Sequence, residues 1–224
     1  MADQQRAFIF DMDGTIVDNM AFHIKSWLAF FAKRGHVIDA DEFFHATAGR
    51  QGHEIMSTYM GQHLSKEDCA LLDAEKEALY RELYAPHLAT VHGFEQFIAL
   101  AKSRGIKLAV ATSAPNENID FTLDGLNLRG EFNAIAGAAD VERGKPNPDV
   151  FLLAAKRAGT QPADSIVFED APLGVEAARR AGMRAVVLTT TLPAEAFADF
   201  DNVICIARDY SEIDIDELCA AITN

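Results

Sequence analysis

Asp11 and Asp13 stand two residues apart in the run Asp11-Met12-Asp13-Gly14-Thr15. In an extended chain, residues i and i+2 point to the same side, so the two carboxylates face one site. Gly14 lets the chain turn sharply and brings backbone N–H groups close to an anion. One carboxylate is then placed to attack phosphorus while the other handles the leaving-group proton. A DxD by itself also suits a plain surface turn.

Three further segments carry chemistry of the same kind. Thr112-Ser113-Ala114 offers hydroxyls that can donate to a phosphoryl oxygen, or that cap a helix. Gly144-Lys145-Pro146-Asn147-Pro148-Asp149 holds a lysine between Gly and Pro where a helix begins, an odd place for a merely solubilising charge. In Glu169-Asp170-Ala171-Pro172-Leu173-Gly174 two adjacent carboxylates repel each other unless a cation sits there. Hard carboxylate oxygens suit Mg2+, which uses one or two of them plus waters and substrate phosphate. The alternative is an N-cap by Asp170.

Short apolar runs position these segments. Residues 6–10, 107–111, 165–168, 185–188 and 203–206 are rich in Val, Ile, Ala or Phe and bounded by polar residues or Gly. Such runs predict strands buried on both faces. Helical spacing over 93–104, 118–126, 148–158 and 174–181 separates them. Strand alternating with helix predicts an α/β fold, a Rossmann-like parallel sheet with helices on both sides. In open parallel sheets functional groups gather past the carboxyl ends of the strands, where these segments fall.

Residues 18–88 break the rhythm. Helices are expected near 20–33, 40–47, 52–62 and 66–84, with no strand. The chain therefore reads as a catalytic core of 1–17 and 89–224 with a helical cap domain inserted at 18–88, hinged near 17–20 and 86–93.

Composition bounds the partners. The 224 residues carry a formal net charge of −14, against nucleic acid and anionic membranes, whose binding needs a basic face. Three cysteines without a CxxC argue against a disulfide framework or a zinc site. No run is long enough to span a membrane, and the start lacks the basic and apolar regions of a secretory signal, so a cytoplasmic location is expected. A monomer is expected, with a homodimer as the alternative.

The set DMDGT, a strand ending in TS, GKPNPD and FEDAPLG resembles the four motifs of the haloacid dehalogenase superfamily, and the helical insert resembles the cap of its subfamily I. The resemblance runs through nearly the whole chain. It implies Asp11 as nucleophile, Asp13 as general acid/base, and Thr112 and Lys145 as ligands of the transferring phosphoryl group, with Gly14 and Ser113 beside it. It implies Mg2+ held by Asp11, the Asp13 carbonyl and Asp170, with Glu169 assisting. Asp13 argues against the superfamily's dehalogenases, which lack a second aspartate there.

The insert is expected to choose the substrate. It carries 7 Lys+Arg against 11 Asp+Glu and is less acidic than the rest. His23 and Trp27, one helical turn apart, share a face; Lys76 lies on a later helix, and Arg50 sits in a Gly-flexed loop. HIKSW with the downstream EKEAL lysine resembles β-phosphoglucomutases and related sugar-phosphate phosphatases, in which the histidine and lysine help position the acid/base and the sugar phosphate. Trp27 also suits the core of the insert, and Lys76 a solvated face. Two departures stand out: Asn19 replaces a hinge Thr or Ser, and Gly52 falls where the mutases place an arginine for a second phosphate, a place Arg50 is near enough to fill. The expectation is a Mg2+-dependent phosphatase acting on a small phosphorylated metabolite, a sugar phosphate, through a phospho-aspartate. A phosphosugar mutase is the alternative, ahead of pyrophosphate hydrolysis or a non-enzymatic metabolite-binding protein.

Overall fold

The computed structural model describes residues 5–47, 52–60 and 64–222. The chain divides into two compact units, one of residues 1–18 and 88–224, the other of residues 19–87.

In the first unit six parallel strands, β1 (Ala7–Phe10), β2 (Lys107–Ala111), β3 (Ala134–Ala136), β4 (Ser165–Glu169), β5 (Arg184–Leu188) and β6 (Val203–Ala207), form one sheet in the order β3-β2-β1-β4-β5-β6. The α/β class is as expected. β3 is an addition, three residues too short to show a period. Alternation along β1 sends Ala7 and Ile9 to one face and Phe8 and Phe10 to the other. Ala7 and Ile9 join Ala109, Val167, Val175 and Phe151 in one core. Val150–Ala155 of α7 (Asp149–Ala158) and Val175–Ala178 of α8 (Pro172–Arg180) cover that face. Opposite, Phe10 stacks on Phe168 at 4.5 Å between centroids, and Phe8 on Phe97 at 5.7 Å. Phe94 and Phe97 come from α5 (Phe94–Ser103), and Tyr210 closes the cluster 5.0 Å from Phe94. Each such fully buried ring contributes roughly 1.5–3 kcal/mol, which makes β1 a stiff base for the residue that follows it.

The second unit contains α1 (Met20–Ala32), α2 (Ala40–Thr47), α3 (Gly52–Met60) and α4 (Lys66–Tyr84). Its core is Trp27, Phe30, Phe31, Phe43, Ile55 and Met56, so Trp27 is a core residue. Ser65 caps α4 by accepting from Asp68 N–H at 3.1 Å. Among the described residues no helix is long and apolar enough to cross a membrane.

Candidate active site

Register assembles the site. Phe10 pairs with Val110 on one side and with Phe168 on the other, so the residues after β1, β2 and β4 emerge side by side at the carboxyl edge. Asp11 N–H donates to the Phe168 carbonyl at 2.9 Å, and Thr112 N–H to that of Ala136 at 3.0 Å. After Asp11 the chain curls: the N–H groups of Thr15, Ile16 and Val17 all point to the Met12 carbonyl, and Gly14 takes φ +76°. A Cβ there would be strained and would stand 2.0 Å from Asp170 Oδ2, so this turn requires glycine.

Lys145 lies at the centre. Its Nζ donates to Asp11 Oδ1 at 2.5 Å and to Glu169 Oε1 at 2.6 Å, over the Phe151 ring at 4.8 Å. Asp11, Glu169 and Asp170 are all buried, with one ammonium among them. Burial raises the Asp11 carboxyl from an ordinary 3.8 to about 8; Lys145 opposes this, while Glu169 and Asp13 add to it. Burial, then the charges of Glu169 and Asp11, likewise holds Asp170 well above the carboxylate range. Burial alone would lower Lys145, but the two carboxylates outweigh it and keep the ammonium charged.

The other expected residues are placed as follows. Asp13 is half-buried. Thr112 is buried and its Oγ1 accepts from Ala114 N–H at 3.0 Å, which leaves its own proton to donate; Ser113 is exposed. Asp170 is not a helix cap, because the N-cap of α8 is Ala171, without a side-chain bond. Glu169 is hydrogen-bonded at both oxygens: its Oε1 accepts from Lys145 Nζ, and its Oε2 accepts from Asp170 N–H at 2.9 Å and Ala171 N–H at 3.0 Å. It thus holds the lysine and the loop, and Oε1 keeps a further lone pair. Thr190 and Thr191, in the turn after β5, were not legible in the sequence: their hydroxyls donate to the Gly14 carbonyl and to Asp170 Oδ2.

A hard cation fits this donor set. Among the described residues no three His, Cys, Asp or Glu side chains form a metal-binding group. Mg2+ needs only one or two carboxylates, with carbonyl, water and phosphate oxygens for the rest. Asp11 and Asp170 meet that need, being two buried carboxylates at neighbouring strand ends.

In the second unit Lys76 is buried, not solvated, at 2% exposure. Its Nζ donates to Glu77 Oε1 at 2.7 Å and lies 3.0 Å from His23 Nδ1 and 4.9 Å from the centre of the Trp27 ring. An ammonium only donates, so Nδ1 accepts and the proton of a neutral His23 ring is on Nε2. His23 stacks on Tyr80 at 3.8 Å, and Asn19 Nδ2 donates to Tyr80 Oη at 2.6 Å. Arg50 lies outside the described residues.

A three-layer α/β core with carboxylates and a lysine at the strand ends defines a class of hydrolase, and a model of the haloacid dehalogenase-like hydrolases matches residues 8–188; the chain belongs to that family. It is 32% identical over 209 residues to validoxylamine A 7'-phosphate phosphatase of Streptomyces hygroscopicus subsp. limoneus, covering 92% of this chain and 94% of that one. It is 34% identical over 187 residues to a fructose-1-phosphate phosphatase of Escherichia coli K12, covering 83% and 97%. The crystal structure of a HAD hydrolase of family IA, variant 3, from Entamoeba histolytica superposes with a TM-score of 0.92 at 25% identity, over 98% of this chain and all 100% of that one.

Proposed function

We propose that this protein is a Mg2+-dependent phosphatase that hydrolyses a phosphorylated carbohydrate through a phospho-Asp11 intermediate. The observation that carries the reading is the Lys145 bridge between Asp11 and Glu169. A fixed, water-poor cation beside a carboxylate nucleophile is what stabilises charge spreading over phosphoryl oxygens. Asp11 attacks phosphorus, Asp13 protonates the leaving oxygen and then takes the proton of the attacking water, and Thr112 and Ser113 donate to the phosphoryl oxygens. Asp11, Asp170 and the Asp13 carbonyl would hold the Mg2+, with Glu169 assisting. When bound, the ion neutralises enough charge for an anionic carboxylate to meet an anionic phosphate. The substrate class is supported by the two relatives named as phosphatases of validoxylamine A 7'-phosphate and of fructose 1-phosphate.

Residues 19–87 are proposed to select the substrate, through His23, Lys76 and Arg50. The contact of His23 with the buried Lys76 favours a second reading, the phosphosugar mutase. Hydrolysis is preferred because Gly52, where the mutases place an arginine, packs close to α4: a Cβ there would stand 2.7 Å from Asp73 Oδ1 and 3.7 Å from Trp27 Cζ2.

A panel of sugar phosphates assayed with Mg2+, including β-glucose 1-phosphate with a trace of its 1,6-bisphosphate, separates the two. Free phosphate should be the main product, and Asp11→Asn should lower turnover by roughly 10⁴-fold or more with the fold intact. Glucose 6-phosphate forming faster than free phosphate makes the protein a mutase; Asp11→Asn turnover within about tenfold of wild type removes Asp11 as nucleophile.

A further inference from the structure

The turn after β5 carries two consecutive threonines whose side chains leave their own strand. The Thr191 hydroxyl donates to Asp170 Oδ2, and the Thr190 hydroxyl donates to the Gly14 carbonyl. β4 lies between β5 and β1 in the sheet. Two adjacent residues therefore hold the loop of the neighbouring strand and the loop of the strand beyond it. Both threonines are half-buried, where water would satisfy either hydroxyl if the loops did not.

The two contacts converge on one carboxylate. A Cβ on Gly14 would stand 2.0 Å from Asp170 Oδ2, 2.4 Å from its Cγ and 2.8 Å from Thr191 Oγ1. Oδ2 is thus boxed between the Gly14 backbone and the Thr191 hydroxyl, and rotation of the carboxylate loses the hydrogen bond or runs into the Gly14 loop. That loop is itself pinned by Thr190. Among the described residues no donor serves Asp170 Oδ1, which leaves that oxygen for a cation.

We propose that Thr191 is a positioning residue that sets the affinity of the site for a divalent cation by fixing the Asp170 carboxylate, with Thr190 holding the Gly14 wall against which it is fixed. The inference deepens, and rests on, the Mg2+-dependent reading above. Groups that orient a metal-binding side chain change metal affinity about 10–100-fold when removed.

The test is calorimetric titration of MgCl2 into the chelator-treated full chain, for wild type, Thr191→Val, Thr191→Ser and Asp170→Asn, with circular dichroism as the check on folding. Thr191→Val keeps the shape and removes the donor, and should weaken Mg2+ binding about tenfold or more. Thr191→Ser keeps the donor and should bind as wild type does. In turnover, Thr191→Val should raise the Mg2+ concentration for half-maximal rate while leaving kcat at saturating Mg2+ close to wild type. Equal affinities for Thr191→Val and wild type overturn the inference, as does Thr191→Ser binding as weakly as Thr191→Val, which would assign the effect to packing. If only Asp170→Asn loses binding, the positioning role fails and the metal reading stands. If wild type and Asp170→Asn both fail to bind Mg2+, both are overturned.

Discussion

Lys145 Nζ stands 2.5 Å from Asp11 Oδ1 although 134 residues separate them in the chain. The contact is possible because β1 and β4 pair directly, while Lys145 reaches their carboxyl ends from the segment before α7. The side chains of Lys145 and Asp11 are each 9% exposed, so water screens little of the interaction. The pair therefore bears on stability as well as on chemistry.

Lys145→Met keeps the apolar stem and removes the ammonium, leaving buried carboxylates without their cation. Breaking a buried pair in this way costs about 3–5 kcal/mol. Urea unfolding of the chelator-treated variant should show that loss, and added Mg2+ should narrow it. A loss below about 1 kcal/mol, the range of exposed pairs, would mean that solvent reaches the cluster.

The metal-free protein should lose stability as pH rises from about 4 to about 8. The unfolded Asp11 carboxyl gives up its proton near its ordinary 3.8, whereas the folded one keeps it to about 8. Across that window the folded state binds more protons than the unfolded state, so stability falls with rising pH. Asp170 is raised too and adds to the slope with the same sign. Thermal midpoints with chelator should fall over this range, as the free energy of unfolding drops by an amount on the order of a few kcal/mol. Asp11→Asn should flatten the slope and raise the midpoint at pH 8; a slope of the opposite sign would contradict the burial of these carboxyls.

Gly14→Ala should cost about 1–3 kcal/mol from its left-handed backbone alone. It should also weaken Mg2+ binding more than Thr191→Val does, because the new methyl group displaces Asp170 itself. Melting curves and the same calorimetric titration read both effects. Unchanged Mg2+ affinity would show that Asp170 has room to move aside without consequence.

Local pattern was enough for the strands that carry the motifs. β1, β2 and β4 are short apolar runs cut off by Asp11, Thr112 and Glu169, and a buried parallel strand has to be written that way because both its faces meet helices. β3 escaped notice because Ala134–Ala136 is three residues of a type equally at home in a helix. Helical spacing placed Lys76 on α4 and could not say that the face was buried, since periodicity marks a stripe but not what packs on it.

Which chemistry the strand ends can do is written in consecutive residues: two carboxylates in one extended step, a glycine to turn, a lysine fenced by glycine and proline, and an acidic pair. Which oxygen meets which proton is not. Glu169 is drawn onto Lys145, and Thr191, 21 residues beyond Asp170, is drawn onto that aspartate. Thr190 reaches Gly14 across 176 residues. Those choices follow from strand order and register, which the packing of the whole sheet against its two helical layers sets, and no short window of the chain contains that information.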